Sequence, residues 1–353
     1  GSTNLDVVKA DILYKQAWNG YHQRRQYDAA IATYRWALEL QPDEDYYYLF
    51  LGKAYLEKTG GVNDPAERER LYEVSRQVLE RAQHLNPLNP DHAANLARLH
   101  QQWGRMTQDP GRSQELLETA LQYHRQATEL APNAAHLYNE WALTLDSMGR
   151  IDEALEKLHK SQSLDPIFVD TSILLGEVYR HAGQFDEAIA AFEKALELRP
   201  DRVDANRGLA MLYAFRGQID KAIEQNLSVI QHRPNDAQAH QHLAVLYREQ
   251  GQLDAAQREA EIAAQLADND PSSYAILGDI YRMRGQTRQA IDAYQQALAL
   301  NPQATEAYGG LALAFEVEGD LDAALNNARQ ALSLAPDNEQ LQALVQNLER
   351  RTQ

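Results

Sequence analysis

The sequence predicts an all-α solenoid of nine helix pairs, closed at the C-terminus by one further helix. Three interleaved series carry this. Glycines stand at Gly149, Gly183, Gly217, Gly251, Gly285 and Gly319, each 34 residues from the last. Alanines at Ala154, Ala188, Ala222, Ala256, Ala290 and Ala324 keep the same spacing. Prolines at Pro132, Pro166, Pro200 and Pro234, and again at Pro302 and Pro336, complete the period. A fixed period of this length marks stacked units, each too small to bury its apolar face alone.

Within one period the order is helix A, glycine turn, helix B, proline turn. Leu175, Gly176 and Tyr179 in one repeat, and Leu243, Ala244 and Tyr247 in another, recur every three to four residues and so share one face of helix A. Small residues at Gly52, Ala97, Ala142, Gly176, Ala210, Ala244, Gly278 and Ala312 are expected to let helix B lie close, with the helix B alanine meeting the gap. The aromatics Tyr21, Tyr55, Tyr179, Tyr213, Tyr247, Tyr281 and Phe315 are expected to fill space towards the next repeat. The glycine ends helix A in a left-handed conformation. An aspartate three residues on, at Asp152, Asp186, Asp220, Asp254 or Asp322, is expected to cap helix B, which buries Ala188, Phe192 and Ala195 in its repeat. Proline then stops helix B.

The units fall at 11–44, 45–89, 90–134, 135–168, 169–202, 203–236, 237–270, 271–304 and 305–338, after a lead-in at 1–10. Gly1-Ser2 reads as a cloning scar, and the chain as an excised piece of a longer one. The first unit has Trp18 at the small-residue position, so its two helices are expected to pack differently. The second and third units carry eleven extra residues each. In the second, Asp64-Pro65 reads as an N-cap and first-turn proline before a long helix to Leu85. In the third, Gln108-Asp109-Pro110-Gly111 precedes a helix expected to start near Ser113. Together these insertions are expected to raise a ridge. The seventh unit has Asp268 in place of proline. Residues 339–353 form a cap with one apolar stripe, Leu341, Leu344, Val345 and Leu348.

The pattern resembles the tetratricopeptide repeat over nearly the whole chain: L-G-x-x-Y in helix A, A-x-x-x-F-x-x-A-x-x-x-x-P in helix B. The resemblance implies a right-handed superhelix that binds protein or peptide on its inner wall. It also implies that the second, fifth, sixth, ninth, twelfth and thirteenth positions of each unit line that wall.

Composition excludes other classes. The net charge of -17 repels nucleic-acid phosphates and anionic membrane surfaces. With no cysteine there is no disulfide, thiolate metal site or thiol nucleophile. No run is long and apolar enough to span a bilayer. His240 and His242 point apart on a helix, and His136 with Glu140 lacks a third ligand for zinc. No hydrolase, zinc-protease or phosphate-loop motif is present. The expectation is a non-catalytic domain without metal or cofactor.

The implied wall positions give the candidate residues. Lys15 and Asn19 begin the pattern by which related repeats clamp a chaperone's C-terminal carboxylate, but Phe50, Asp91 and Asn95 break it. The sixth positions, Gln16, Phe50, Asn95, Glu140, Leu174, Gly208, His242, Ile276 and Gly310, form no asparagine ladder of the glycosyltransferase type. Tyr46, Leu49, Phe50 and Lys53 form an aromatic and basic cluster, either an anchor for a planar or apolar ligand or packing against the first unit. Asn95, Arg98, Asn139, Glu140 and Asp146 give a polar stretch, and Arg207, His242, Arg248 and Arg282 scattered basic groups.

A second resemblance covers roughly the first hundred residues. Val8 to Gln16, Asp45-Tyr46-Tyr47-Tyr48-Leu49-Phe50-Leu51-Gly52-Lys53-Ala54, and Leu85-Asn86-Pro87-Leu88-Asn89-Pro90-Asp91-His92-Ala93-Ala94-Asn95-Leu96-Ala97 look like the repeat region following the membrane domain of bacterial O-antigen ligase or polymerase-like proteins. It implies an extracytoplasmic module of a membrane-bound, glycan-assembling parent, with a cytoplasmic scaffold as the alternative. The leading expectation is a protein- or peptide-binding scaffold; direct carbohydrate binding in the groove is the second.

Overall fold

The computed structural model describes residues 4–352, so the expectation for Gly1-Ser2 lies outside the described residues. Among the described residues there are nineteen α-helices and no strand. Two compact units, Gly1–Ala191 and Phe192–Gln353, divide the chain.

In the first unit the helices alternate as α1 Asn4–Lys15 with α2 Tyr27–Leu40, α3 Asp45–Lys58 with α4 Pro65–Leu85, α5 Pro90–Met106 with α6 Pro110–Leu130, and α7 Ala135–Ser147 with α8 Ile151–Leu164. Then come α9 Val169–His181 and α10 Phe185–Leu198, within which the division falls. The second unit continues with α11 Val203–Phe215 and α12 Ile219–His232, α13 Ala237–Glu249 and α14 Leu253–Leu266, α15 Pro271–Met283 and α16 Thr287–Leu300, and α17 Thr305–Glu318 and α18 Leu321–Leu334. Last is α19 Glu339–Thr352, which buries Val345 and Leu348. α1 starts at Asn4, so residues 4–10 are part of the first helix and not a lead-in to it.

The recurring glycines adopt the left-handed conformation that a side chain resists, with φ of 73° at Gly149 and 85° at Gly319. In the first repeat Arg25 takes the same turn at φ 60°. Helix B starts sooner than expected: its N-caps are Arg150, Gln218 and Gln252, none with a side-chain capping bond, and Asp320, which accepts from the Ala323 N–H. Asp152, Asp186, Asp220, Asp254 and Asp322 therefore sit in the first turn, where a carboxylate meets the positive end of the helix dipole. Two of them also tie neighbouring repeats: Asp254 pairs with Arg284, and Asp220 accepts from Gln250 at 2.6 Å.

The long helices of the second and third repeats begin at proline, each behind a capping aspartate. Asp64 accepts from the Ala66 N–H and Asp109 from the Gly111 N–H. α6 thus starts at Pro110, ahead of the expected Ser113, because Asp109 caps it and Pro110 needs no N–H in the first turn. Most of the inserted sequence lengthens helices. The Tyr72 and Trp103 rings stack 5.5 Å apart along these extensions, and Glu69 accepts from the Trp103 indole at 2.8 Å.

One position of helix B sets how each pair closes. Tyr34, Leu79, His124, Leu158, Phe192, Asn226, Ala260, Tyr294 and Ala328 occupy it, none more than 2% exposed. A Cβ added at Gly52 would fall 2.5 Å from Leu79, and one at Gly278 would fall 2.6 Å from Tyr294. At Gly52 and Gly278 the side chain nearest the gap is thus this one, while the alanine series is fully buried alongside. Two of the helix A tyrosines send their hydroxyls the other way from expectation. Tyr213 donates to Glu193 at 2.8 Å and Tyr281 to Glu261 at 3.0 Å, each reaching back to the preceding helix B.

Trp18 has the consequence its position implies. An indole does not fit where paired helices approach closest, and helix A widens there into a π-helix, Gln16–Tyr21, then tightens to a 3₁₀ turn, His22–Arg24. The Trp18 ring instead packs edge-on at 4.9 Å from both His22 and Phe50.

Candidate binding groove

In the first unit α3 and α5 border a cleft of about 720 Å³. Lys53, Leu56 and Glu57 line it from α3, and Asn95, Arg98, Gln101, Gln102, Arg105 and Met106 from α5. Lys53 is half-buried, with its Nζ 5.1 Å from the Phe50 ring centre and 5.6 Å from that of Trp18. Burial holds its ammonium below the ordinary lysine value, against the pull of Glu57 and with a push from Arg98. Glu57 accepts from His22 at 3.0 Å. Burial pushes its carboxyl up, but the His22 hydrogen bond and the His22 and Lys53 charges prevail and hold it below the usual range. Arg98 grips Glu140 with two bonds, Nε at 2.8 Å and Nη2 at 2.5 Å, and donates to Asn95 at 3.1 Å. That ion pair spans from α5 to α7 and braces the wall. Among the described residues, Lys53 and Arg105 have no carboxylate within ion-pair distance; with the Glu57 carboxylate attracting Lys53 from the same wall, the cleft still holds more cations than anions in a chain of net charge -17.

The expected aromatic cluster divides. Leu49 and Phe50 are buried, 3% and 8% exposed, because Phe50 packs against Tyr14 at 5.2 Å and Trp18 at 4.9 Å. They serve packing against the first repeat, which leaves Tyr46, 41% exposed, and Lys53 facing outward. Lys15 pairs with Asp11 at 2.6 Å, and Asn19 is exposed on the π-helix and is not among the residues that line the cleft.

The polar stretch is brought together only in part. Asn95, Arg98 and Glu140 form one network, whereas Asn139 is buried and donates to Thr171 at 3.0 Å, and Asp146 pairs with His181 at 3.0 Å. In the second unit Arg207 pairs with Asp236 and Arg248 with Asp279 at 3.1 Å, so neither is an uncompensated charge. Arg282 lies beside the Tyr294 hydroxyl. His242 is half-buried, and burial lowers its pKa. Sequence reasoning passed over Glu57 and Gln102, although both stand at a thirteenth position. It also missed Arg105 and Met106, which belong to the extra turn of α5. Among the described residues no three histidine or carboxylate side chains cluster to hold a metal ion. Nor is any helix long and apolar enough to cross a membrane.

Tetratricopeptide repeat family models match residues 19–60 and 139–203, 179–241, 227–258 and 305–338, and a TPR repeat model matches 278–316. No curated protein matches the chain in sequence. Among solved structures, PilF of Pseudomonas aeruginosa is 18% identical with a TM-score of 0.53, covering 62% of this chain and 97% of its own. The Cut9 and Hcn1 hetero-tetramer structure of the APC/C gives 17% identity and a TM-score of 0.53, covering 96% of this chain and 76% of that one. PilW, a type IV pilus biogenesis factor, gives 16% identity and 0.53, covering 60% and 98%. Likeness at these identities speaks for the fold alone. The repeat matches, the alternating helix pairs and the left-handed glycine turns agree: the chain carries tetratricopeptide repeats.

Proposed function

We propose that this chain is a non-catalytic scaffold that holds an acidic segment of a partner protein in the cleft between α3 and α5. Lys53 and Arg105, neither held in an ion pair, beside the ion-paired Arg98, carry the reading. In an acidic molecule such a pair attracts a carboxylate-bearing chain, while the amides of Gln101 and Gln102 and the thioether of Met106 offer polar and apolar contact. Direct glycan binding loses support, because Phe50 is buried and Tyr46 alone of the expected platform is open. The O-antigen ligase-like context rests on the resemblance of the first hundred residues and draws nothing from the cleft.

An array of acidic, neutral and basic peptides tests the proposal. Acidic peptides are expected to bind selectively and to weaken with salt. The double variant Lys53→Gln, Arg105→Glu is expected to weaken them by about tenfold or more, about 1.4 kcal/mol, with an unchanged melting temperature. No selectivity for acidic peptides, or equal binding by the variant, would remove the reading.

A further inference from the structure

The cleft between α3 and α5 has a counterpart between α11 and α13, built from the same positions of their repeats with different residues. Met211 and Ala214 stand where Lys53 and Leu56 stand, and His242, Val245 and Glu249 where Asn95, Arg98 and Gln102 stand. Apolar side chains thus replace the cations Lys53 and Arg98, and a carboxylate replaces the Gln102 amide. The same construction has the opposite electrical character.

The space between α11 and α13 is about 200 Å³. Drug-sized sites begin at about 300 Å³, so it suits one side chain. Met211, Ala214, Val245 and Leu246 give it apolar walls. Asn226 adds no polar group that a ligand could reach: its Nδ2 donates to the Ala222 carbonyl at 2.9 Å, and its Oδ1 is sealed from solvent. Burial lowers the pKa of His242, so its imidazole is neutral at pH 7 and sets no positive charge against a cation. Glu249 lies two helical turns along α13 from His242. It is exposed, and among the described residues it has no ion-pair partner; the adjacent Arg248 is taken by Asp279 at 3.1 Å. An apolar trough that ends in an unpaired carboxylate fits an alkyl stem tipped by a cation. Lysine is such a side chain: its methylenes bury on apolar surface while its ammonium stays at the water's edge. Its compact head keeps its hydration beside an exposed carboxylate, where the planar fork of arginine gains less.

We propose that the trough between α11 and α13 receives a lysine side chain of a bound protein, with its methylene stem against Met211, Ala214 and Val245 and its ammonium at Glu249. This rests on the scaffold reading for its biological sense. It concerns a different site and the opposite charge from the acidic-segment cleft, so either can fail alone.

The chain's four methionines make the test site-specific. Met211 lines this trough and Met106 the α3–α5 cleft, so methyl NMR of the intact chain labelled at methionine reads the two apart. The probe is n-butylammonium, a lysine side chain without its backbone. It is expected to move the Met211 signal saturably at millimolar concentration. Methylammonium lacks the stem and is expected to bind about tenfold more weakly or worse. The uncharged 1-butanol is expected to bind about threefold more weakly, and butyrate not at all. Glu249→Gln, at an exposed position, is expected to weaken n-butylammonium about threefold and to leave 1-butanol unchanged. Ala214→Leu fills the trough and is expected to abolish both; Glu249→Gln keeps the test decisive if that variant misfolds. A Met211 signal that ignores n-butylammonium, equal affinity for n-butylammonium and 1-butanol, or unchanged affinity in Glu249→Gln would overturn the proposal. Acidic peptides titrated into the same sample are expected to move Met106. Their failure would remove the acidic-segment reading and leave the lysine trough standing.

Discussion

The pair α1 and α2 and the pair α15 and α16 place a tyrosine at the same point of helix B and surround it with opposite neighbours. Tyr294 abuts Gly278 of its own pair and Gly310 of the next. Tyr34 has Trp18 and Phe50 at those two places, with its ring 6.3 Å from Phe50 and its hydroxyl 3.1 Å from His22. Where the neighbours lack side chains, helix A stays regular through α15 and turns on Gly285 at φ 73°. Where they are large, helix A widens into a π-helix and the turn falls on an arginine. The total volume around the ring, more than the ring itself, decides whether a repeat is regular.

The sharpest way to break this comparison is to remove both rings. Tyr294→Ala is expected to cost about 3–5 kcal/mol, because backbone on both sides cannot close on the void. It also leaves Asp279, which accepts from the Tyr294 hydroxyl at 2.7 Å, without that donor. Tyr34→Ala is expected to cost less, since the rings of Tyr14, Trp18 and Phe50 can move into the space. Urea unfolding of the two variants decides it, and an equal cost would mean that the neighbours' size does not matter.

A smaller effect separates the third repeat from its neighbours. His124 occupies the closing position that Leu79 and Leu158 hold on either side, with Nε2 2.8 Å from the Thr144 hydroxyl. Burial, helped by the Arg98 charge, lowers its pKa to about 3. The folded pKa lies below the unfolded value near 6.5, so the unfolded chain takes up the proton first. The stability is whole above about pH 6.5 and is lost as pH falls towards 3, at about 1.4 kcal/mol per pH unit. His124→Leu is expected to match the wild type within a kcal/mol or so at pH 7, and to be the more stable by about 2 kcal/mol at pH 5. Thermal melts across that range measure it; parallel pH profiles would mean that folding leaves the proton affinity of His124 unchanged.

What could be read in the sequence was whatever repeats. The glycine and proline series located the turns, and Asp64 before Pro65 announced a cap that the structure contains. The tyrosine direction was misread because spacing shows which face of a helix a residue shares, not which neighbour that face meets. The aromatic cluster at Tyr46, Leu49 and Phe50 was ambiguous for the same reason: wall and core positions interleave on one helix, and it is the rings of the first repeat, Tyr14 and Trp18, that cover Phe50. Arg105 and Met106 lay beyond the regular period, in a helix turn that no other repeat has.

The smallest expected effect tests the turn itself. Arg25 and Gly149 make the same bonds. The Arg25 N–H donates to the His22 carbonyl at 2.9 Å and Gln26 N–H to Tyr21 at 3.0 Å; Gly149 and Arg150 donate to Asp146 and Leu145, both at 2.9 Å. The irregular helix before Arg25 therefore ends in the same closed turn as the regular ones. A side chain in that conformation costs about 1–2 kcal/mol, and glycine avoids this while losing about 0.5–1 kcal/mol to its freer unfolded chain. Arg25 is exposed, so its side chain has little packing to set against the difference. Arg25→Gly should therefore stabilise the first repeat by about 0.5 kcal/mol, and Gly149→Arg should destabilise its own by a similar amount. Hydrogen exchange of the amides in α2 and α8, before and after each change, reads the two repeats separately. If Arg25→Gly speeds exchange in α2, the arginine side chain stabilises the first repeat, and the shared turn geometry does not extend to a shared energy.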